Sequence, residues 1–159
     1  MAIQDKTTLK GYFNSGDIPT EENFSDLMDT VVLDPILASD KASGDIVSMT
    51  VDSNDVGIFA ALHIDTTGGW IEANTSTVDT MPCQALALET GTGTKNVLLR
   101  GFARDDSWTW NTGAQIYVST NGTLSETAPT TGGYQVQIVA LAISSTEIYF
   151  NPSPILIEI

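Results

Sequence analysis

The chain has 159 residues, 42% of them hydrophobic and 16% charged, which suits one packed domain, or one domain plus an appendage, and argues against general disorder. Its formal net charge of −14 argues against nucleic acid and against an anionic membrane surface, because both need clustered Lys and Arg. Eleven acids and three lysines precede residue 60, while nine acids and only Lys95, Arg100 and Arg104 follow. This reads as a solvated acidic surface, with a face complementary to a basic partner as the sharper alternative. The single Cys83 excludes an intrachain disulfide. The start, Met1 to Lys6, lacks a signal-peptide pattern, and no apolar run has membrane-span length, so a soluble protein made in a cytoplasm is expected.

The first residues read as two short helices. Asp5 can cap the first, with Leu9, Tyr12 and Phe13 on one face, and Asn14-Ser15-Gly16-Asp17 stops it. Thr20 can cap the second, whose first turn carries Glu21 and Glu22 and whose stripe is Phe24, Leu27, Met28 and Val31. A helix this short needs a surface to lie on, so these seven apolar residues are docking candidates. Asp34-Pro35 ends the helix. The expected division is a helical anchor over 1–34, a linker over 35–45 and a β module over 46–159.

Short apolar or alternating runs separated by turns predict strands near 46–51, 58–64, 70–73, 84–89, 96–103, 115–119, 134–143, 147–150 and 155–158. Asn121-Gly122 between Ile116–Thr120 and Thr123–Ser125 predicts a hairpin with a type I′ turn. Tyr134, Val136 and Ile138 alternate with Gln135 and Gln137, as in a half-buried strand, and Val139–Ile143 is apolar on both faces. Trp108 and Trp110 flank Thr109 and share a face, which favours core or interface anchors. The expected fold class is mainly β: a small antiparallel β-barrel or sandwich preceded by two short N-terminal helices.

No catalytic constellation emerges. His63, the only histidine, lies in an apolar run and reads as structural; nothing in the sequence shows it near Cys83, which reads as a small buried hydrophobe. Gly91-Thr92-Gly93 is a turn, lacking the lysine and helix of a phosphate loop. One Cys and one His cannot close a zinc site. Asp52-Ser53-Asn54-Asp55 offers oxygen ligands without EF-hand spacing and reads as a turn, leaving calcium binding by a loop open. Asp105 and Asp106 are adjacent, unlike the facing carboxyls of a glycosidase. No cofactor is expected.

Two stretches resemble tailed-bacteriophage virion proteins. Leu9 to Thr20, continuing through Asn23 to Asp29, looks like a helical motif near the N-termini of phage fibre-like and head-associated proteins. Val97–Ala103, Gly113–Thr131 with its Thr127-Ala128-Pro129, and Val136–Pro152 with its Ile148-Tyr149-Phe150-Asn151-Pro152 ending are similar to a β module of phage fibre and capsid-decoration proteins. The resemblance implies a structural role in a virion, commonly as a homotrimer, contacting the major capsid protein or another virion protein. An anchor and a knob with almost nothing between them suit a capsid decoration (cement) protein or short head fibre. The alternative is a tail-fibre or receptor-binding module for a host glycan or surface protein, with Trp70, Trp108 and Trp110 as stacking residues. A polysaccharide-cleaving enzyme is a third reading, with no residues to carry it.

Overall fold

The computed structural model describes residues 10–12, 18, 20–23, 39–52 and 56–159. The chain divides into two compact units, Met1–Ile36 and Leu37–Ile159. In the first, residues 21–23 are helical and Thr20 caps them. The Asn23 N–H donates to Thr20 Oγ1 at 3.2 Å, and the Thr20 N–H donates to Asn23 Oδ1 at 2.9 Å. Leu9, Phe13, Phe24, Leu27, Met28 and Val31 lie outside the described residues; Tyr12 is half-buried.

The second unit is built of strands. They are β1 (Lys41–Val51), β2 (Ala61–Ile64), β3 (Trp70–Glu72), β4 (Ala85–Ala87), β5 (Gly93–Arg104) and β6 (Gln115–Val118). There follow β7 (Leu124–Ser125), β8 (Gln135–Val136), β9 (Ile138–Ala142), β10 (Glu147–Phe150) and β11 (Ile157–Glu158). Nine of them form one sheet in the order β1-β3-β2-β4-β5-β10-β9-β6-β7, and β8 pairs with β11. The barrel expectation is corrected, since this large sheet is not closed as a barrel. β1 runs along β5 for its whole length but meets β3 at the single parallel bridge Val51↔Trp70, where closure needs continuous ladders.

A second correction concerns residues 41–45, expected as linker from their composition. Lys41–Asp45 are the first half of β1 and pair with Arg104–Arg100 of β5. Two glycines make this possible. Gly44 and Gly101 are register partners with φ of 137° and 147°. A Cβ on Gly101 would stand 2.1 Å from the Ser43 carbonyl oxygen, so only glycine lets the backbones come this close. Gly101 also marks the place where β5 changes neighbours, from β4 at Val97 and Leu98 to β10 at Gly101–Arg104.

The strip β2-β4-β5 is buried on both faces. Ala61, Leu86 and Leu98 join one core with Ile116, Val118, Val139, Ile148 and Phe150. Their neighbours Leu62, Ala85, Ala87 and Val97 join another with Val51, Val56 and Trp70. Successive strand residues face opposite ways, so a strand between two cores must read as a continuous apolar run. Ala60-Ala61-Leu62 and Ala85-Leu86-Ala87 are such runs.

The Asn121-Gly122 turn forms as expected, with φ of 53° and 66° at its two central residues. Its tip docks onto the sheet. The Gly122 N–H donates to the Ala73 carbonyl at 2.8 Å, and the Ala61 N–H donates to the Gly122 carbonyl at 2.7 Å. The segment 134–143 departs from expectation. It splits into β8 and β9, and its polar residues are the buried ones: Gln135 and Gln137 are 4% and 1% exposed. The Gln137 amide explains the reversal. It accepts from the Cys83 N–H at 2.7 Å and donates to the carbonyls of Cys83 at 2.9 Å and Ser153 at 2.7 Å. These backbone groups have a partner inside the protein, so the glutamine goes in and Ile138 and Leu141 face out.

Candidate functional site

Two features of the second unit stand apart from ordinary packing. The first is the outer face of β5, β10, β9 and β6. Directly paired residues point to the same side of a sheet, and the register Phe102↔Tyr149↔Leu141↔Gln115 therefore runs as one row across this face. The Phe102 and Tyr149 rings lie 5.1 Å apart between centroids. Tyr149, Leu141 and Ile138 line one shallow depression, and Ile138 continues into an apolar groove with Tyr117, Val136, Ile155 and Ile157. Phe102, Ile138, Leu141 and Ile143 are each about two-fifths exposed, and Ile155 and Ile157 are 66% and 58% exposed.

Charge on this face is balanced. Lys41 pairs in register with Arg104, Arg104 with Glu147, and Arg100 with Asp45. Arg104 Nε also meets Asp106 Oδ1 at 2.7 Å, and Arg100 Nε donates to Tyr149 Oη at 3.0 Å. The Tyr149 hydroxyl is the main reason the Arg100 guanidinium sits above its usual pKa, as Asp106 is for Arg104. Three cations and three acids cancel here, in a chain of net charge −14.

The second feature is a cavity of about 390 Å³ lined by Phe59, Glu72, Trp108, Trp110, Asn121 and Thr123 among others. Trp108 and Trp110 sit side by side, as their spacing predicts, with centroids 5.6 Å apart and planes tilted by 50°. Phe59 adds a third ring, 5.1 Å from Trp108 and tilted by 49°. Phe59 itself has φ of 59°, a conformation bulky residues avoid. Trp110 Nε1 is buried without a hydrogen-bond partner among the described residues. Two costly features thus meet on one wall. Sequence reading missed Phe59, Glu72 and Asn121. Asn121 meets Phe59 and Glu72 there because the hairpin tip docks at the ends of the paired β2 and β3, a long-range event with no local signature.

The remaining candidates have structural partners. Trp70, expected as a recognition aromatic, is buried in a core and 5% exposed, which removes it from any surface. His63 Nδ1 lies 3.0 Å from the Pro82 carbonyl. The Cys83 thiol points to the Ala85 carbonyl, and burial pushes it up to about 12, so no thiolate forms at neutral pH. Asp105 accepts from the Ser107 N–H at 2.7 Å in the turn after β5, and Asp106 holds Arg104. In the expected oxygen-rich turn only Asp52 is described, its carboxylate lying against Gly69. Among the described residues no group of three or more His, Cys, Asp or Glu is placed to hold a metal. No helix among them is long and apolar enough to cross a membrane. No protein-family model, curated protein or solved structure matches the chain.

Proposed function

We propose that this protein is a non-enzymatic structural subunit that works by assembling with copies of itself. The observation that carries the reading is the apolar, charge-balanced outer face of β5, β10, β9 and β6. Side chains of this size, about half exposed, present on the order of 500 Å² of apolar surface together. That is at the upper end of what a lone domain leaves in water, and it would form the apolar part of the ~800 Å² each partner buries in a standard interface. A second copy is the occupant that charge favours. Two chains of net charge −14 repel over most of their surface, and this neutral region is where they approach at least cost. The face is asymmetric, with aromatics beside β5 and isoleucines toward β11, which suits a head-to-tail ring, and three is the smallest such ring.

With the sequence resemblance, the reading becomes a trimeric capsid decoration (cement) protein or short head fibre on a phage virion, seated through residues 1–34 on the major capsid protein or another virion protein. Sedimentation equilibrium tests the assembly. The wild type is expected to be a trimer, and Phe102→Ser with Leu141→Ser is expected to give a folded monomer with an unchanged circular dichroism spectrum. A monomeric wild type at micromolar concentration would sink the reading. Copy number per particle tests the location: hundreds of copies fit a head protein, a handful fit a tail tip. The second reading, a tail-fibre or receptor-binding module, loses Trp70 but keeps Trp108 and Trp110, which line a cavity.

A further inference from the structure

A head-to-tail ring needs two different contact surfaces on each copy, and the apolar face is bordered at each end by an open strand edge. We infer that copies join by strand addition: the free edge of β1 on one copy takes β11 of the next. This rests on the self-association proposed above and specifies how the contact is made.

The hydrogen bonds of β5 fix which way β1 turns its backbone. The Leu88 N–H donates to the Asn96 carbonyl at 3.0 Å, so Asn96 points its backbone groups away from β1. Directly opposed antiparallel residues either exchange both bonds or both turn away. Ser48, the register partner of Asn96, therefore faces outward, and alternation places Ile46 with it. The Asp105 N–H donates to the Thr146 carbonyl at 3.0 Å, which likewise turns Ala103 and Gly101 toward β10 and their partners Ala42 and Gly44 outward. Among the described residues no hydrogen bond reaches the N–H or C=O groups of Ala42, Gly44, Ile46 and Ser48. The same holds for one edge of β11. The Ile159 N–H donates to the Tyr134 carbonyl at 3.1 Å, so Ile159 and Ile157 face β8, while Leu156 and Glu158 turn their backbone groups away from it.

Position and charge favour β11 of a second copy as the occupant. Charges and bulges normally blunt an open edge, and in β1 these devices end at the irregularity after Asp45. Residues 46–51 hold no charge, proline or glycine, so a chain of net charge −14 meets no acid on this stretch of β1. Ser43 pairs with Phe102 and carries the apolar row to the β1 edge, while Ile155 and Ile157 place β11 at the other end of the face. A head-to-tail neighbour therefore brings one open edge to the other. Two-fold pairing of β1 with β1 would stop at a dimer and leave the isoleucine end uncovered.

The test uses prolines that remove an outward N–H and spare the ladder behind it: Ser48→Pro on β1 and Glu158→Pro on β11. Each variant alone is expected to sediment as a folded monomer with an unchanged circular dichroism spectrum. Mixed in equal amounts they are expected to form a heterodimer and nothing larger, because only one intact β1 edge and one intact β11 edge remain between them. Amide exchange gives a reading that needs neither proline variant. In the wild-type assembly the Ile46 and Ser48 N–H groups are expected to exchange at least about tenfold more slowly than in the Phe102→Ser, Leu141→Ser monomer. The Val47 and Met49 N–H groups, bonded to β5, are expected to be protected in both. Trimeric proline variants, a mixture that stays monomeric, or equally fast exchange at Ile46 and Ser48 in a trimeric wild type would overturn strand addition and leave the self-association reading standing. A Glu158→Pro chain that assembles normally while Ser48→Pro does not would overturn β11 as the occupant. A monomeric wild type overturns both.

Discussion

Gln137 and Cys83 show how single side chains set the interior. The Gln137 amide is the partner of one N–H and two carbonyls of segments that are not strands at that point. Replacing it with Ala leaves the buried Cys83 N–H and carbonyl, and the half-buried Ser153 carbonyl, without this partner. Gln137→Ala is therefore expected to lower stability by about 2–4 kcal/mol, measured by urea denaturation. Cys83 gives a pH signature. Its unfolded thiol ionises near the ordinary value of 9.0, while the buried one keeps its proton to about 12. The folded state then binds more protons between these values. Stability from this group is intact below pH 9 and is lost as pH rises toward 12. Wild type and Cys83→Ala are expected to diverge over that range, the wild type falling more steeply by up to roughly 4 kcal/mol, as read from denaturation midpoints. Parallel pH profiles would contradict this.

Among the elements, β5 decides the topology. It holds β1 along one edge and divides the other between β4 and β10, with Gly101 at the changeover. Because a Cβ there would collide with backbone atoms of Ser43 and Gly44, no side-chain rotation relieves it. Gly101→Ala is expected to cost at least about 3 kcal/mol and to loosen β1 from β5, seen as faster amide exchange over Lys41–Asp45. By contrast, Gly91→Ala meets nothing within 4 Å, and its only strain is φ of 80°, so a smaller loss of about 1 kcal/mol is expected. The hairpin belongs to this scale too. Asn121-Gly122 announces its turn in the sequence, but the docking of its tip on Ala61 and Ala73, which creates the aromatic cavity, depends on partners about 50–60 residues away.

At the level of the whole molecule, the proposed self-association through an apolar, locally neutral face of a strongly acidic chain has a distinctive salt response. Added salt screens repulsion between the acidic remainders and leaves the apolar contact intact. Self-association is therefore expected to strengthen several-fold between about 20 mM and 300 mM NaCl, as measured by sedimentation. An assembly held by ion pairs would weaken instead.

By itself the sequence determined the acidic charge, the β character of residues 46–159, the Thr20 cap, the type I′ turn and the pairing of Trp108 with Trp110. Each follows from charges, local periodicity or the φ preferences of a few adjacent residues. Tertiary structure alone decided which face of 134–143 is buried, that Lys41–Asp45 are strand, and that Trp70 is core while Trp108 and Trp110 line a cavity. Those outcomes depend on what covers each face of a strand. Alternation shows that a strand has two faces, but only the residues brought against it, often far along the chain, say which one turns inward.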